Sequence, residues 1–384
     1  MHPRLSVFIA ASFFCLLGLA ATPTSSQAAS HASKVSAAAA RKAKAATGKR
    51  AKKATARRAR DSARSDDAAD DVFYGSRADV RQFADEVAGR QNLDPTWVRV
   101  QLEQARLLPT VVRLMLPPPA GTAKNWAAYR ERFVEPVRLR AGRAFWDANL
   151  RWLAEAEARY GVPPEIIIGI IGVETVFGQQ MGSFRVIDAL ATLAFDYPVG
   201  RRDRRPFFRD ELENYLRLCS DQGVDPLRLR GSYAGAMGMP QFMPSSIRKY
   251  AVDFDADGRI DLHGDSADVI GSVANYLAEF GWQRGLPTHF EVGTPVDASD
   301  RAALLGPDIL PTFTPREFVE RGAWLPAAAA QHEGKLALIE LQNGDAAPSY
   351  VAGTGNFYAI TRYNWSSYYA MAVIELGQAI KSSR

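Results

Sequence analysis

The stretch Pro163-Pro-Glu-Ile-Ile-Ile-Gly-Ile-Ile-Gly-Val-Glu174-Thr-Val-Phe-Gly178 decides how the rest of the chain is interpreted. Its prolines suit the first turn of a helix, Glu165 favours the positive N-terminal end, and Gly178 suits an end after Phe177. Apolar residues surround the axis, which is typical of a helix that is buried on all sides. The stretch therefore predicts a helix in the protein core.

Glu174 is the only acid between Glu165 and Asp188. Burial among aliphatic side chains disfavours the ionised form and raises the pKa of a carboxyl group. Such a group keeps a proton that it can donate near neutral pH. Two interpretations are open at this point. Glu174 is either a general acid or a structural residue that binds backbone groups or pairs with a distant arginine such as Arg185.

Residues 1–29 have the pattern of a secretory signal peptide, with Arg4 before an apolar run and small residues at the end. Phe14 precedes Cys15, where a lipoprotein signal needs a small residue. We therefore expect an exported, periplasmic protein without a lipid anchor, and an uncleaved membrane anchor is the alternative. Cleavage removes Cys15 and leaves Cys219 alone, so no disulfide within the chain is expected.

Residues 30–71 are rich in Ala, Lys and Arg, then in Asp, and contain no aromatic residue. This composition predicts a disordered linker. Residues 34–64 hold 12 Lys and Arg against one acid, whereas the whole 384-residue chain has a net charge of only +5. The linker is either an inert spacer or an electrostatic tether to anionic wall polymer or membrane headgroups. The signal peptide argues against nucleic acid as its partner.

Helical periodicity runs through residues 80–88, 96–104 and 125–160 and predicts an all-helical lobe. Its large aromatic residues recur at helical spacing. Core packing is the common fate of such residues, and lining of a sugar cleft is the alternative. They are Trp97, Trp126, Phe133, Phe145, Trp146 and Trp152.

The segment Gly231-Ser-Tyr-Ala-Gly-Ala-Met-Gly-Met-Pro-Gln-Phe-Met-Pro-Ser-Ser246 indicates a tight, closely packed turn structure. Gln241 is its single amide and stands in apolar company. A buried amide must find polar partners, which are either protein groups or a ligand. Ser245 or Ser246 is predicted to cap a helix that begins near Ile247.

The next segment, Asp253-Phe-Asp-Ala-Asp-Gly-Arg-Ile260, has acids at positions 1, 3 and 5 and glycine at position 6, as in the calcium loop of an EF-hand. Gly264 stands where such a loop has its bidentate Glu. The missing oxygens would come from Asp268, or else from Asp265. An Asp-rich surface turn without a metal is the alternative.

Two apolar runs at residues 335–341 and 350–351 flank Asn343-Gly-Asp345, which predicts a β-hairpin. Residues 290–353 are therefore expected to form a small β-rich insert, and residues 366–379 a closing apolar helix. The sequence contains no phosphate-binding loop, no Gly-x-Ser-x-Gly nucleophile elbow and no His-Glu-x-x-His zinc helix. The carboxylates are the remaining candidates for chemistry.

Several motifs in one order resemble the lytic murein transglycosylase B family, which is glycoside hydrolase family 103. Besides the Glu174 and Gly231–Ser246 stretches, they are Asp188-Ala-Leu-Ala-Thr-Leu-Ala-Phe-Asp-Tyr-Pro198, Ile270-Gly-Ser-Val-Ala-Asn-Tyr276 and Thr361-Arg-Tyr-Asn364. The resemblance covers nearly everything from Phe73 onwards. It departs from the lipoprotein members at the leader. The arginine pair expected after Pro198 is ambiguous, because four arginines compete for it: Arg201, Arg202, Arg204 and Arg205.

The resemblance implies a mainly α (α+β) fold with a lysozyme-like core. The expected division is an α-helical domain at 72–145, the catalytic core at 146–288 with the calcium loop at 253–268, a small β domain at 289–354, and a segment at 355–384 that returns to the core. It implies Glu174 as the sole catalytic acid/base and a glycan cleft lined by Ser232, Gln241, Tyr276, Tyr363 and Asn364. It also implies structural Ca²⁺ held by Asp253, Asp255, Asp257, the carbonyl of Arg259 and Asp268, with no organic cofactor.

The implied substrate is peptidoglycan. Cleavage of the bond between N-acetylmuramic acid and N-acetylglucosamine would yield a 1,6-anhydromuramic end, because the muramic acid's own C6 hydroxyl replaces water as the nucleophile. Two alternatives stay open. The protein is otherwise a hydrolytic muramidase of lysozyme type, or a non-catalytic peptidoglycan-binding protein that depends on calcium.

Overall fold

A computed structural model describes residues 72–116, 124–199 and 202–384. The predicted signal peptide and linker lie outside the described residues, as does the proline run at 117–119. Tyr74–Arg384 form one compact unit. The described part is mainly helical, with sixteen α-helices and two small sheets, and it contains no helix long and apolar enough to cross a membrane.

The helices of the first half follow a short 3₁₀ turn at Tyr74–Ser76. They are α1 (Ala78–Gln91), α2 (Pro95–Glu103), α3 (Pro109–Leu114), α4 (Trp126–Arg130), α5 (Pro136–Ala148), α6 (Leu150–Tyr160), α7 (Pro164–Thr175) and α8 (Val186–Phe195). Those of the second half are α9 (Arg205–Gln222), α10 (Pro244–Tyr250), α11 (Ser266–Glu279), α12 (Ala298–Leu305), α13 (Pro315–Glu320), α14 (Ala327–Ala330), α15 (Gly355–Thr361) and α16 (Ser367–Ser382).

Helices are observed where the helical periodicity predicted them, and the aromatic residues of this region take part in the core. Trp126, Phe133 and Trp146 are buried, and the other three are half-buried and pack against the same cluster. Trp126 and Tyr129 stack with their ring centroids 6.2 Å apart. Packing is thus the main role of these side chains, as their helical spacing favoured.

Helix α7 is the predicted buried helix, and it packs closely against α16. Glycines make this approach possible. A Cβ added to Gly169 would lie 2.2 Å from the carbonyl oxygen of Val373, and one added to Gly377 would lie 1.9 Å from that of Glu165. Near the N-terminal end of α7, Nζ of Lys381 lies 2.8 Å from a carboxylate oxygen of Glu165. The backbones of α7 and α16 are therefore in direct contact, which fixes the relative positions of the side chains on the two helices.

The predicted hairpin is confirmed as strands β4 (Ala337–Asn343) and β5 (Ala346–Gly353), which pair antiparallel. Strand β3 (His289–Glu291) pairs with the other edge of β5, so the order is β3-β5-β4. Three short helices, α12 to α14, share this insert and pack on the sheet around a separate small apolar cluster. The insert is thus less β-rich than its sequence suggested.

A two-stranded sheet joins two segments from the middle of the chain. Strand β1 (Phe184–Arg185) pairs antiparallel with β2 (Arg230–Gly231). The pairing brings the loop after α7 against the start of the Gly-rich segment. A Cβ on Gly182 would lie 2.1 Å from the carbonyl oxygen of Gly231, so only glycine fits at this contact. The two segments singled out in the sequence therefore lie side by side.

Candidate active site

Glu174 lies in the last turn of α7, where the backbone leaves the helix abruptly. The helix ends at Thr175 rather than after Phe177, because Val176, Phe177 and Gly178 all adopt left-handed backbone conformations, with φ of 51°, 56° and 84°. This conformation is costly for a β-branched residue such as valine and persists only where the surroundings impose it.

Thr175 supplies part of that constraint. Its buried hydroxyl donates to the carbonyl oxygen of Met239 at 2.8 Å and accepts from the backbone N–H of Gly178 at 3.0 Å. The end of α7 is thereby bonded to the Gly-rich segment. Backbone strain stored at one turn, next to a carboxylate, is a frequent property of functional sites.

The carboxylate of Glu174 is half-buried, although the helix around it is buried. The hydroxyl of Tyr369 donates to Oε1 of Glu174 at 2.6 Å. Tyr369 belongs to α16 and is fully buried, so its phenol is held in one place by the packing of α16 on α7. Arg185, the arginine considered as a structural partner, binds Asp188 instead, at 2.6 Å.

Four tyrosines surround Glu174 closely enough to be affected by its charge. Burial, and then the negative charge of Glu174, raise the pKa of Tyr129 to about 12. The same two causes, in the same order, raise the pKa of Tyr363 and of Tyr369. Burial raises the pKa of Tyr276, to which Glu174 adds a smaller contribution. All four phenols therefore stay protonated and neutral around the acid.

The tyrosine rings form a wall whose hydroxyls are already bonded. Tyr363 donates to the carbonyl oxygen of Pro240 at 2.6 Å, and Tyr276 donates to that of Arg362 at 2.8 Å. Their ring centroids lie 4.8 Å apart, and Tyr363 stacks on Tyr369 at 6.4 Å. The structure thus brings the predicted Tyr276 and Tyr363 together beside Glu174. Both rings are buried, with 5% of Tyr276 and 3% of Tyr363 exposed, and their hydroxyls bind backbone carbonyls.

The other predicted cleft residues lie on loops, with Ser232 and Gln241 in the Gly-rich segment and Asn364 between α15 and α16. Gln241 has a left-handed backbone, with φ of 49°, and its amide nitrogen donates to the carbonyls of Gly238 at 2.9 Å and Met181 at 3.2 Å. The amide oxygen is not used by these bonds. Ser232 is half-buried, and its Oγ accepts from the N–H of Ala236 at 3.0 Å. Asn364 is half-buried directly after Tyr363.

Two neighbours of Glu174, Tyr129 and Tyr369, were not predicted from the sequence. Tyr129 lies in the short helix α4, and Tyr369 stands in a closing helix that was predicted only as apolar. The one signal for Tyr369 was a polar hydroxyl in a helix whose other residues are mostly apolar. Of the four competing arginines, Arg201 lies outside the described residues, and Arg205 binds Asp203 at 2.8 Å.

The acidic loop gathers three carboxylates. Single oxygens of Asp253, Asp255 and Asp268 lie within 4.8 Å of one another. Asp268 is buried, and its two oxygens accept from the N–H groups of Phe254 at 2.8 Å and Asp261 at 2.7 Å. Three hard oxygen donors at this spacing suit a Ca²⁺ ion.

Two further acids of this loop use their carboxylates locally. An oxygen of Asp257 accepts from the N–H of Arg259 at 2.8 Å. Asp265, the alternative last ligand, caps α11 by accepting from the N–H of Ala267 at 2.6 Å. Asp268 is the better candidate for the last ligand, because it belongs to the group of three carboxylates with Asp253 and Asp255.

Comparison with known proteins gives three findings. The sequence pattern of the "Transglycosylase SLT domain" family matches residues 75–378. The membrane-bound lytic murein transglycosylase B of Escherichia coli K12 is 40% identical over 319 residues, which is 81% of this chain and 85% of that protein. The soluble lytic transglycosylase SltB1 of Pseudomonas aeruginosa has a similar crystal structure, with a TM-score of 0.72 and 40% identity over 80% of this chain and 99% of that one.

A structure of the E. coli lytic transglycosylase Slt35 in complex with calcium is also similar. Its TM-score is 0.69 at 40% identity, and the match covers 80% of this chain and 94% of that one. The fold expected from the motifs is confirmed by these structures.

Proposed function

The chain belongs to the transglycosylase SLT domain family, and we propose that it cleaves peptidoglycan as a lytic transglycosylase with Glu174 as its single acid/base. One observation carries the assignment of Glu174. Its half-exposed carboxylate ends an otherwise buried helix and is held through one oxygen by the buried hydroxyl of Tyr369. The second oxygen is then oriented without being consumed by that bond.

The reaction follows from one carboxyl group. Protonated Glu174 donates to the glycosidic oxygen between N-acetylmuramic acid and N-acetylglucosamine as an oxocarbenium-like state forms. The C6 hydroxyl of the muramic acid attacks its own C1, and the ionised Glu174 accepts that proton. The bond from Tyr369 strengthens when Glu174 becomes charged, because hydrogen bonds to ionised acceptors are about twice as strong as neutral ones.

The glycan is proposed to lie against the tyrosine wall and the Gly-rich turn. Tyr276 and Tyr363 are only 5% and 3% exposed, so they are proposed to form the floor of the cleft and to contact the sugar through these small exposed areas. Ser232, Gln241 and Asn364 are proposed to supply hydrogen bonds, and the amide oxygen of Gln241 suits an N–H donor of an N-acetyl group. These groups are neutral, so they can bind the sugar without competing with Glu174 for the proton.

We propose that Ca²⁺ has a structural role at the loop of residues 253–268. Asp253, Asp255 and Asp268 would hold it, with the Arg259 carbonyl and Asp257 as further ligands. The buried Asp268 lies in the first turn of α11, which carries Tyr276 further along, so a bound ion would pin the loop to a helix that reaches the tyrosine wall. The ion would neutralise the charge of three crowded carboxylates.

The proposed cellular setting rests on the sequence. The segment 1–29 would direct export to the periplasm, and 30–71 would tether the enzyme to anionic polymer or lipid. The division at residues 145, 288 and 354 into a helical domain, a core and a β domain is proposed on the same basis. The E. coli relative is named as membrane-bound, which fits an enzyme that acts at the envelope.

The deciding experiment digests purified peptidoglycan and measures product mass. We expect 1,6-anhydromuramic ends from the wild type and no cleavage by Glu174→Gln. Glu165→Gln is the control, because Glu165 lies on the same helix but pairs with Lys381 at the opposite end. Products heavier by one water would establish the hydrolytic alternative. Wall binding without cleavage by the wild type would establish the non-catalytic one.

A further inference from the structure

Glu211 is a buried acid that the proposed reaction does not use. It lies on α9 with 2% of its surface exposed. Both of its oxygens accept hydrogen bonds from Ser245: Oε2 from the backbone N–H at 2.9 Å and Oε1 from the hydroxyl at 2.6 Å. Burying a carboxylate is costly unless its oxygens are satisfied. The two bonds therefore make a specific link between α9 and α10.

Helix α10 lacks a cap of its own. Met243 occupies the capping position without a side-chain bond, and Pro244, the first residue of the helix, has no N–H. The N–H groups of a first turn need acceptors from outside the helix. Ser245 lies inside the helix rather than at its cap, contrary to the prediction from the sequence, and its hydroxyl is bonded to Glu211. Glu211 thus supplies the missing acceptor from a neighbouring helix.

The residues just before α10 form a turn to which the end of α7 is bonded, because the hydroxyl of Thr175 donates to the carbonyl of Met239 at 2.8 Å. Met237 and Phe242 close it with a reciprocal pair of backbone hydrogen bonds, at 2.9 and 3.1 Å. Gln241 stands inside it with its left-handed backbone. The ring of Phe242 lies 5.4 Å from that of Tyr276 and 5.7 Å from that of Tyr363. A displacement of the start of α10 would therefore move the turn and the tyrosine wall together.

We propose that Glu211 is a positioning residue for the glycan cleft, which fixes the first turn of α10 through Ser245 and so holds the turn of residues 237–242 in place. The proposal rests on the role proposed above for Gln241 in binding the glycan. Glu211 itself does not touch the substrate. Its effect on the reaction passes through Ser245 and the two residues that join Ser245 to the turn.

The test uses the whole protein and compares Glu211→Ala, Glu211→Gln, Ser245→Ala and the double variant Glu211→Gln/Ser245→Ala. Glu213→Gln is the matched control. Glu213 lies two residues further along the same helix and is also largely buried, but its carboxylate accepts from Arg90 at 2.6 Å and ties α9 to α1. Hydrogen exchange at residues 237–242 is measured for each protein, together with kcat and KM on soluble glycan strands, well below the unfolding temperature.

We expect Glu211→Ala and Ser245→Ala to speed exchange in the turn and to raise KM roughly three- to tenfold, the effect of one net hydrogen bond, with kcat within about twofold. Glu211→Gln should restore part of the loss, because its amide oxygen keeps one acceptor. The double variant should be no worse than Ser245→Ala, since both changes break the same link.

Three results would overturn the proposal. The first is that Glu211→Ala leaves hydrogen exchange in the turn unchanged. The second is that Glu213→Gln raises KM as much as Glu211→Ala does. The third is that the effects of the Glu211 and Ser245 substitutions are additive. The exchange measurement does not depend on activity. If the wild type failed to cleave glycan, the proposed function would fall while the exchange result still decided the link. If Glu211→Ala did not fold, Ser245→Ala would decide it.

Discussion

Removing the hydroxyl of Tyr369 tests the hydrogen bond from Tyr369 to Glu174. Tyr369→Phe keeps the buried ring and its stacking on Tyr363 but loses the 2.6 Å bond to Oε1. A hydrogen bond to a charged group contributes about 1.5–3 kcal/mol, against about 1 kcal/mol for a neutral one. The strength of this bond therefore grows by the difference, about 0.5–2 kcal/mol, as Glu174 loses its proton.

This difference acts on the transition state, so we expect kcat to fall roughly 2- to 30-fold, at about 1.36 kcal/mol for each factor of ten. KM should stay nearly unchanged, because the bond does not involve the substrate. The assay is the initial rate of anhydromuropeptide release, measured by liquid chromatography and mass spectrometry. Thermal unfolding is measured in parallel to separate catalysis from stability.

Tyr215→Phe provides the matched control. Tyr215 is also fully buried, and its hydroxyl donates to the carbonyl of Pro226 at 2.7 Å. It should lose a similar amount of stability, about 1 kcal/mol, with an unchanged kcat. A wild-type kcat in Tyr369→Phe, or an equal loss of kcat in both variants, would refute the assignment of Tyr369 as the residue that orients Glu174.

Three further predictions test the packing, the metal and a buried thiol. Gly377→Ala places a Cβ 1.9 Å from the carbonyl oxygen of Glu165 and should lower the unfolding temperature in a thermal scan. The control Gly89→Ala places its Cβ where no atom lies within 4 Å, and it should raise the unfolding temperature slightly. Calcium at about ten to a hundred times its Kd should stabilise the wild type by about 1.4–2.7 kcal/mol and leave Asp255→Ala unchanged; an equal shift in both would contradict the assigned loop. Burial raises the pKa of the Cys219 thiol from 9.0 to about 12, so the folded protein holds this proton more tightly and loses stability as pH rises above the unfolded value. Alkaline unfolding should therefore show a slope that Cys219→Ala reduces, by up to about 1.4 kcal/mol per pH unit.

Features that depend on short segments were predictable from the sequence. The apolar residues on every side of α7 indicated a buried helix, and the Asn343-Gly-Asp345 turn located the hairpin, because periodicity and turn chemistry are local properties. The motifs also identified the family, which the comparisons confirm. The helices of the insert had a local signal that was missed. Thr314 and Glu317 form a capping box at the start of α13.

The end of α7 shows where local signals fail. Gly178 suggested that the helix ends after Phe177, but the chain turns at Thr175, because the Thr175 hydroxyl is bonded to Met239. Val176 has a low intrinsic preference for a left-handed backbone, so its own preference opposes the observed conformation. The tertiary hydrogen bonds therefore impose a backbone conformation that the local sequence disfavours.

The sequence by itself determined that Glu174 is an isolated acid on a buried helix and that an acidic loop follows a Gly-rich turn. Only the tertiary structure decided that Tyr369, 195 residues away along the chain, holds Glu174, and that Glu211 on another helix caps α10. The physical reason is that a hydrogen bond between distant residues depends on how helices pack, and here that packing is set by glycines that let α7 and α16 touch. No local periodicity records which two side chains such a contact brings together.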